Sequence, residues 1–299
     1  MGRKLLVGLI ALVVLAAAGA FAYHQSRQGS SASPPAPVSS VPVQSGRYVA
    51  LGDSYTSAPG TGKAAGTPPG CQRSDNNYPH LVAAELHPAQ FADVSCGGAT
   101  TQHLYTPQRT NDGTNPPQLD AVTPDTTLVT LGIGGNDIGF IGLIQQCGTD
   151  DPNAAPCRNR LTAGGRDQLA ERIDAAAPKI AAALTAIHAK APNARILLVG
   201  YPTVLPDGDG CFPFLPLVPA DVAYVREMAD RLNAMLEEQA KAHQAGYVDT
   251  ATPSKGHDLC QKAATKWVED LVPSSPAAAL HPNANGERAM ADAVLDVVH

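Results

Sequence analysis

The stretch from Thr127 to Ile133 carries Leu128, Val129, Leu131 and Ile133 in a nearly unbroken apolar run. A strand that is apolar toward both sides has to be covered on both sides, which is the pattern of a buried parallel strand rather than of a sheet with one wet face. Shorter apolar runs at Val49 to Leu51, Phe91 to Ser95, Ile196 to Val199 and Tyr247 to Asp249 read as further strands. Stripes of helical period lie between them. Asn77 caps a helix with Pro79 in its first turn and Tyr78, Leu81, Val82 and Leu86 along one side. Leu169, Ile173, Ile180, Leu184 and Ile187 mark a helix over 168–190 that Pro178 is expected to kink or divide. Val222, Val225, Ala229, Leu232 and Leu236 mark another, and residues 284–298 a last one. Strands alternating with helices predict an α/β chain with a doubly wound parallel sheet of about five strands, because each parallel crossover needs an intervening helix.

The first 46 residues do not fit that pattern. Arg3 and Lys4 precede an apolar run from Leu5 to Ala22, and Ala20-Phe21-Ala22 has the small-residue spacing of a signal-peptidase site. Residues 1–22 are therefore expected to be a signal peptide or, if uncleaved, a signal anchor that tethers the chain to a membrane. Residues 23–46 are rich in Ser, Pro and Gln and too poor in large apolar side chains to offset the entropy of ordering, so they read as a linker. Residues 47–299 form one domain, expected to be a monomer that is secreted or held on the outer face of the membrane.

Net charge is −6, from 21 basic and 27 acidic residues, with no basic cluster in the folded part, so nucleic acid is excluded as a partner. Six cysteines, Cys71, Cys96, Cys147, Cys157, Cys211 and Cys260, follow the linker. In an exported chain an even number favours disulfides, with the connectivity left open by sequence alone. No C-x-x-C pair or Cys/His spacing suggests a metal site, and none is expected.

The strand-terminal loops carry the chemistry. Ser54 follows the first strand in Gly52-Asp53-Ser54-Tyr55, and His281 stands in His281-Pro282-Asn283. A serine hydroxyl is a poor nucleophile until an imidazole takes its proton, so these two are the candidate catalytic pair. Negative charge developing on a carbonyl oxygen needs preorganised N–H donors. The backbone amides of Ser54 and Gly98 and the side-chain amide of Asn136 are the candidates, all placed after strand ends along one rim of such a sheet. Asp53 and Asp137 read as structural hydrogen-bond acceptors. Thr56 occupies the position where a G-x-S-x-G elbow needs glycine, which disfavours the ordinary α/β-hydrolase fold.

Taken together, Gly52-Asp53-Ser54-Tyr55, Gly97-Gly98-Ala99-Thr100, Gly134-Gly135-Asn136-Asp137 and His281-Pro282-Asn283 resemble, in order, the four blocks of the SGNH (GDSL-type) hydrolase superfamily. The chain is most similar to its secreted actinobacterial esterases and lipases. The resemblance implies a three-layer α/β/α, flavodoxin-like fold and a serine esterase or lipase acting on lipid or simple acyl esters without a cofactor. It implies nucleophile Ser54, base His281, oxyanion donors Ser54, Gly98 and Asn136, and disulfides Cys71–Cys96, Cys147–Cys157 and Cys211–Cys260. It also exposes a gap. Most members carry an acid three positions before the histidine, where this chain has Ala278. The expectation is a Ser54–His281 dyad oriented by the Ala278 carbonyl, with Glu269 or Asp270 as the rival partner of the imidazole. The alternatives in function are removal of acetyl groups from extracellular polysaccharide, and a binding module without turnover.

Overall fold

The computed structural model describes residues 46–299. The expected signal segment at 1–22 and all but the last residue of the linker at 23–46 lie outside the described residues. Among the described residues no helix is long and apolar enough to cross a membrane.

Five parallel strands form the central sheet: β1 (Arg47–Gly52), β2 (Gln90–Asp93), β3 (Thr126–Gly132), β4 (Arg195–Val199) and β5 (Gly246–Val248), in the order β2-β1-β3-β4-β5. Side chains alternate across each strand, and both faces are apolar. Tyr48, Ala50, Leu128, Leu197 and Val199 face one layer, with Tyr78, Val82 and Leu86 of helix α2 (Tyr78–Leu86) and Met290, Ala291 and Val294 of the last helix. Val49, Leu51, Val129, Leu131, Ile196 and Leu198 face the other, against Ile173, Ile180 and Leu184 and against Leu232 and Leu236. The doubly apolar strand at 127–133 is thus the centre of a three-layer α/β/α structure, paired with β1 on one side and β4 on the other.

The remaining helices follow from strand ends. Helix α1 is a single turn, Ser54–Ser57, immediately after β1. Helices α3 (Gly135–Ile138) and α4 (Phe140–Cys147) follow β3, and α5 (Gln168–Lys190), α6 (Pro219–Ala242) and α7 (Ala284–Val298) complete the layers. Helix α5 is not divided at Pro178. The proline lies on the exposed side, so water can serve the carbonyl that loses its partner. Strand β2 stops at Asp93 rather than Ser95, because the Asp93 carboxylate accepts from the Ser95 amide and hydroxyl and turns the chain. The long segment between residues 101 and 124 contains a small antiparallel hairpin, Gln108–Arg109 with Thr114–Asn115.

Disulfides link Cys71 to Cys96, Cys147 to Cys157 and Cys211 to Cys260. The first joins residues 25 apart in sequence, and both of its sulfurs are buried beside the end of β1. Opening a loop of that length in the denatured chain is worth about 3–4 kcal/mol by chain entropy. Replacing Cys71 and Cys96 together by Ser is expected to lower unfolding free energy by roughly that amount, measured by urea denaturation against the parent chain.

Candidate active site

Parallel pairing sets Gly52 at the end of β1 opposite Gly132 at the end of β3, so the loops that follow emerge side by side. Glycine at 52 is dictated by space: an added Cβ would lie 2.1 Å from Thr56 Oγ1 and 2.6 Å from the Gly132 carbonyl. Gln118 clamps the same residue, its amide donating to the Gly52 carbonyl at 2.9 Å and its oxygen accepting the Gly52 N–H at 2.8 Å. The chain then enters α1 with Asp53 as cap, accepting the Tyr55 N–H. Ser54 is the first helical residue, half-buried, and its own N–H is committed to no acceptor among the described residues.

His281 reaches the same point from the far end of the chain. Its Nε2 lies 2.8 Å from Ser54 Oγ. Its Nδ1 lies 2.7 Å from the carbonyl of Ala279, not of Ala278 as expected from the resemblance. Leu280 adopts a left-handed backbone with φ 63°, and that turn aims the preceding carbonyl at the ring while the Ala278 carbonyl accepts the His281 N–H instead. The turn is held by the buried Leu280 side chain and by Tyr55, whose hydroxyl donates to the Leu280 carbonyl at 2.7 Å. Tyr55 also packs its ring 5.1 Å from the imidazole. Neither Glu269 nor Asp270 hydrogen-bonds the ring. Their carboxylates are engaged by Asn283, Ser274, Lys266 and the Val272 amide.

The two other candidate donors sit on adjacent loops. Gly98 has φ 74°, a conformation that glycine takes without strain, and its N–H has no protein acceptor among the described residues. Asn136, in α3, donates one Nδ2 hydrogen to the Ala99 carbonyl at 2.9 Å, which ties the two loops together and leaves the second for the site. Asp137 fastens the same junction by accepting the Thr101 N–H and hydroxyl. Tyr201, in the Gly200-Tyr201-Pro202 that ends β4, joins these parts: it donates to the Asp53 carboxylate at 2.5 Å and accepts the Gly135 N–H at 2.8 Å. The sequence places this tripeptide on the same rim as Ser54 without giving the tyrosine a partner.

Beside Ser54 opens a narrow apolar slot walled by Tyr55, Phe140, Ile141, Tyr201, Val204, Ala229 and Leu232. About 20 Å³ of it is open to the centre of a water molecule, little more than one water requires. Among the described residues no group of three or more His, Cys, Asp or Glu side chains gathers as a metal site. The histidine loop is rooted at Trp267, whose carbonyl accepts the Asn283 N–H and whose ring stacks on His257 at 3.7 Å.

The electrostatics suit a base that works neutral. Burial pushes the His281 imidazole below its ordinary range, and the Ala279 carbonyl only partly opposes this. Burial pushes the Asp53 carboxyl up to about 7, with the Asp137 charge adding to the rise and the hydrogen bonds from Tyr201 and Tyr55 restraining it.

A profile of the GDSL-like Lipase/Acylhydrolase family matches residues 50–289. Lipase 2 of Streptomyces coelicolor is 38% identical over 258 residues, covering 84% of this chain and 85% of that protein. A lipase of Streptomyces rimosus is 32% identical, covering 84% and 86%. Among solved structures, phospholipase A1 of Streptomyces albidoflavus superposes with a TM-score of 0.68 at 27% identity, over 85% of this chain and all of that one. The extracellular lipase of Streptomyces rimosus superposes at 0.65 and 29% identity, with the same coverage. The chain belongs to the GDSL-like lipase/acylhydrolase family. It is a carboxylic ester hydrolase with the three-layer fold of that family.

The acid limb of kcat/KM is expected to have its midpoint below about 6.5, the ordinary imidazole value, because a base disfavoured in its charged form stays competent at lower pH. A second inflection at about 7 follows from Asp53. Asp53→Asn should remove only the latter, as read from pH–rate profiles of the two proteins.

Proposed function

We propose that this is an exported serine esterase or lipase that hydrolyses lipid or simple acyl esters through Ser54 and His281. The observation that carries the reading is the 2.8 Å contact between His281 Nε2 and Ser54 Oγ, with the Ser54 and Gly98 amides lacking an acceptor among the described residues. Ser54 Oγ attacks the ester carbonyl as His281 Nε2 takes its proton. The oxyanion is held by the Ser54 and Gly98 N–H groups and by the free Nδ2 hydrogen of Asn136. Collapse expels the alcohol, which takes the proton from His281, and water activated by the same imidazole releases the acid. The Ala279 carbonyl fixes the tautomer with the Nδ1 proton but lacks a full negative charge, so it stabilises the imidazolium less than a carboxylate would. Three disulfides and the similarity to an extracellular lipase support export.

The apolar lining beside Ser54 and the similarity to Streptomyces lipases support acyl groups longer than acetyl, although the slot as it stands would have to widen to take them. Each methylene that becomes buried is worth about 0.8 kcal/mol, about fourfold in kcat/KM. The test is a panel of esters from acetyl to long-chain acyl, run with Ser54→Ala as control. The expected outcome is a rise beyond acetyl and loss of activity and of fluorophosphonate labelling in Ser54→Ala. Strict preference for acetyl would support the polysaccharide deacetylase reading, and absence of labelling in the folded parent would support a binding module.

The oxyanion assignment has a separate measurement. Asn136→Ala is expected to lower kcat by about a hundredfold to a thousandfold with little change in KM, the loss typical of one donor that acts in the transition state.

A further inference from the structure

We propose that Glu269 is a positioning residue for His281: its carboxylate bolts the two ends of the histidine loop together and so replaces, at one remove, the missing acid beside the ring. The inference rests on the Ser54–His281 reading above. Glu269 is fully buried, and both of its oxygens are occupied. Oε1 accepts from Asn283 Nδ2 at 2.7 Å, while Oε2 accepts from the Ser274 N–H at 2.7 Å and hydroxyl at 2.9 Å. Lys266, itself buried, stands 3.7 Å from Oε2 and donates to Asp270 at 2.7 Å, so a positive charge is sealed in with the two negative ones.

These partners bracket His281 in sequence. Ser274 opens the outer arm of the loop, and Asn283 closes it as the cap of α7, accepting the amides of Asn285 and Gly286. The main chain of Glu269 completes the clasp: its N–H donates to the His281 carbonyl at 3.0 Å and its carbonyl accepts the Leu280 N–H at 3.1 Å. Leu280 is the left-handed residue whose turn points the Ala279 carbonyl at the imidazole. A side chain with one acceptor and one donor cannot serve this set. Glutamine at 269 would present an NH₂ group either to Asn283 Nδ2 or to the Ser274 amide, and a buried donor facing a donor loses its partner. The clasp then opens at one end, and the ring loses the carbonyl that fixes its tautomer.

The test is Glu269→Gln in the full chain, with Asp221→Asn as control, since Asp221 is another buried carboxylate, committed to the amides of Cys157 and Arg158. Three quantities are read: steady-state kinetics, thermal unfolding and the downfield proton resonance of His281 Nδ1–H. We expect Glu269→Gln to lower kcat by about tenfold to a hundredfold, the range for a displaced catalytic group, with KM within about twofold. The Nδ1 resonance should broaden or vanish. Asp221→Asn should lose thermal stability while keeping both kcat and the resonance. If Glu269→Gln retains parent kcat and the Nδ1 resonance, the proposal is overturned, whatever happens to stability. Should that variant not fold, Ser274→Ala removes one donor to Oε2 and is expected to act in the same direction, and an unchanged kcat and resonance there also overturn it. His281→Ala keeps the two readings apart: full activity in that variant defeats the Ser54–His281 assignment itself, whereas an inactive His281→Ala beside a fully active Glu269→Gln defeats only the role of Glu269.

Discussion

Parallel pairing of β1 with β3 is the constraint from which the site follows. Gly52 and Gly132 stand opposite one another, and the Asp53 N–H donates to the Gly132 carbonyl at 2.9 Å. The helical turn bearing Ser54 and the one bearing Asn136 therefore leave the sheet as neighbours. Because both faces of the sheet are apolar and covered, neither strand can slip by one residue without reversing which of its side chains each helical layer receives. Core packing thus fixes the relative placement of the hydroxyl and the amide. Tyr201 adds a third strand to the same arrangement by linking Asp53 with Gly135.

The site combines weak orientation with strong preorganisation. A main-chain carbonyl at Nδ1 supplies geometry and little charge, while burial already disfavours the protonated imidazole. In the proposed reaction the balance is restored on the oxyanion side, where backbone amides with no acceptor among the described residues stand at the carboxyl edge of the sheet and require no reorganisation as charge develops. The proposed base, His281, is placed by a loop whose left-handed turn is braced from two directions, by the Tyr55 hydroxyl and by the Glu269 main chain.

Much of this was legible in the residues, and the reasons differ by element. The five strands were visible as short apolar runs separated by helical stripes, the central one clearest because it is apolar on both faces, and the last helix was read at residues 284–298. Helix α4 was not visible: eight residues are too few to separate a helical stripe from a buried apolar run. The hairpin at 108–115 has strands of two residues each, below any periodic signal. The four glycine- and histidine-containing blocks led to the side chains that converge at Ser54. The carbonyl that faces the imidazole was misplaced by one residue, since every residue has a carbonyl and only the sign of φ at Leu280 decides which one points inward. Glu269 drew notice for its charge and its position, yet its carboxylate is held by the amide and hydroxyl of Ser274 and by an asparagine, which no spacing rule reveals.

The chain has a single tryptophan, and it stands at the root of the histidine loop with its indole stacked on His257. Its carbonyl takes the N–H of Asn283, two residues from the imidazole that faces the serine. The molecule therefore contains its own optical gauge. Intrinsic emission, free of competing indoles, follows the segment that carries His281 without any attached dye.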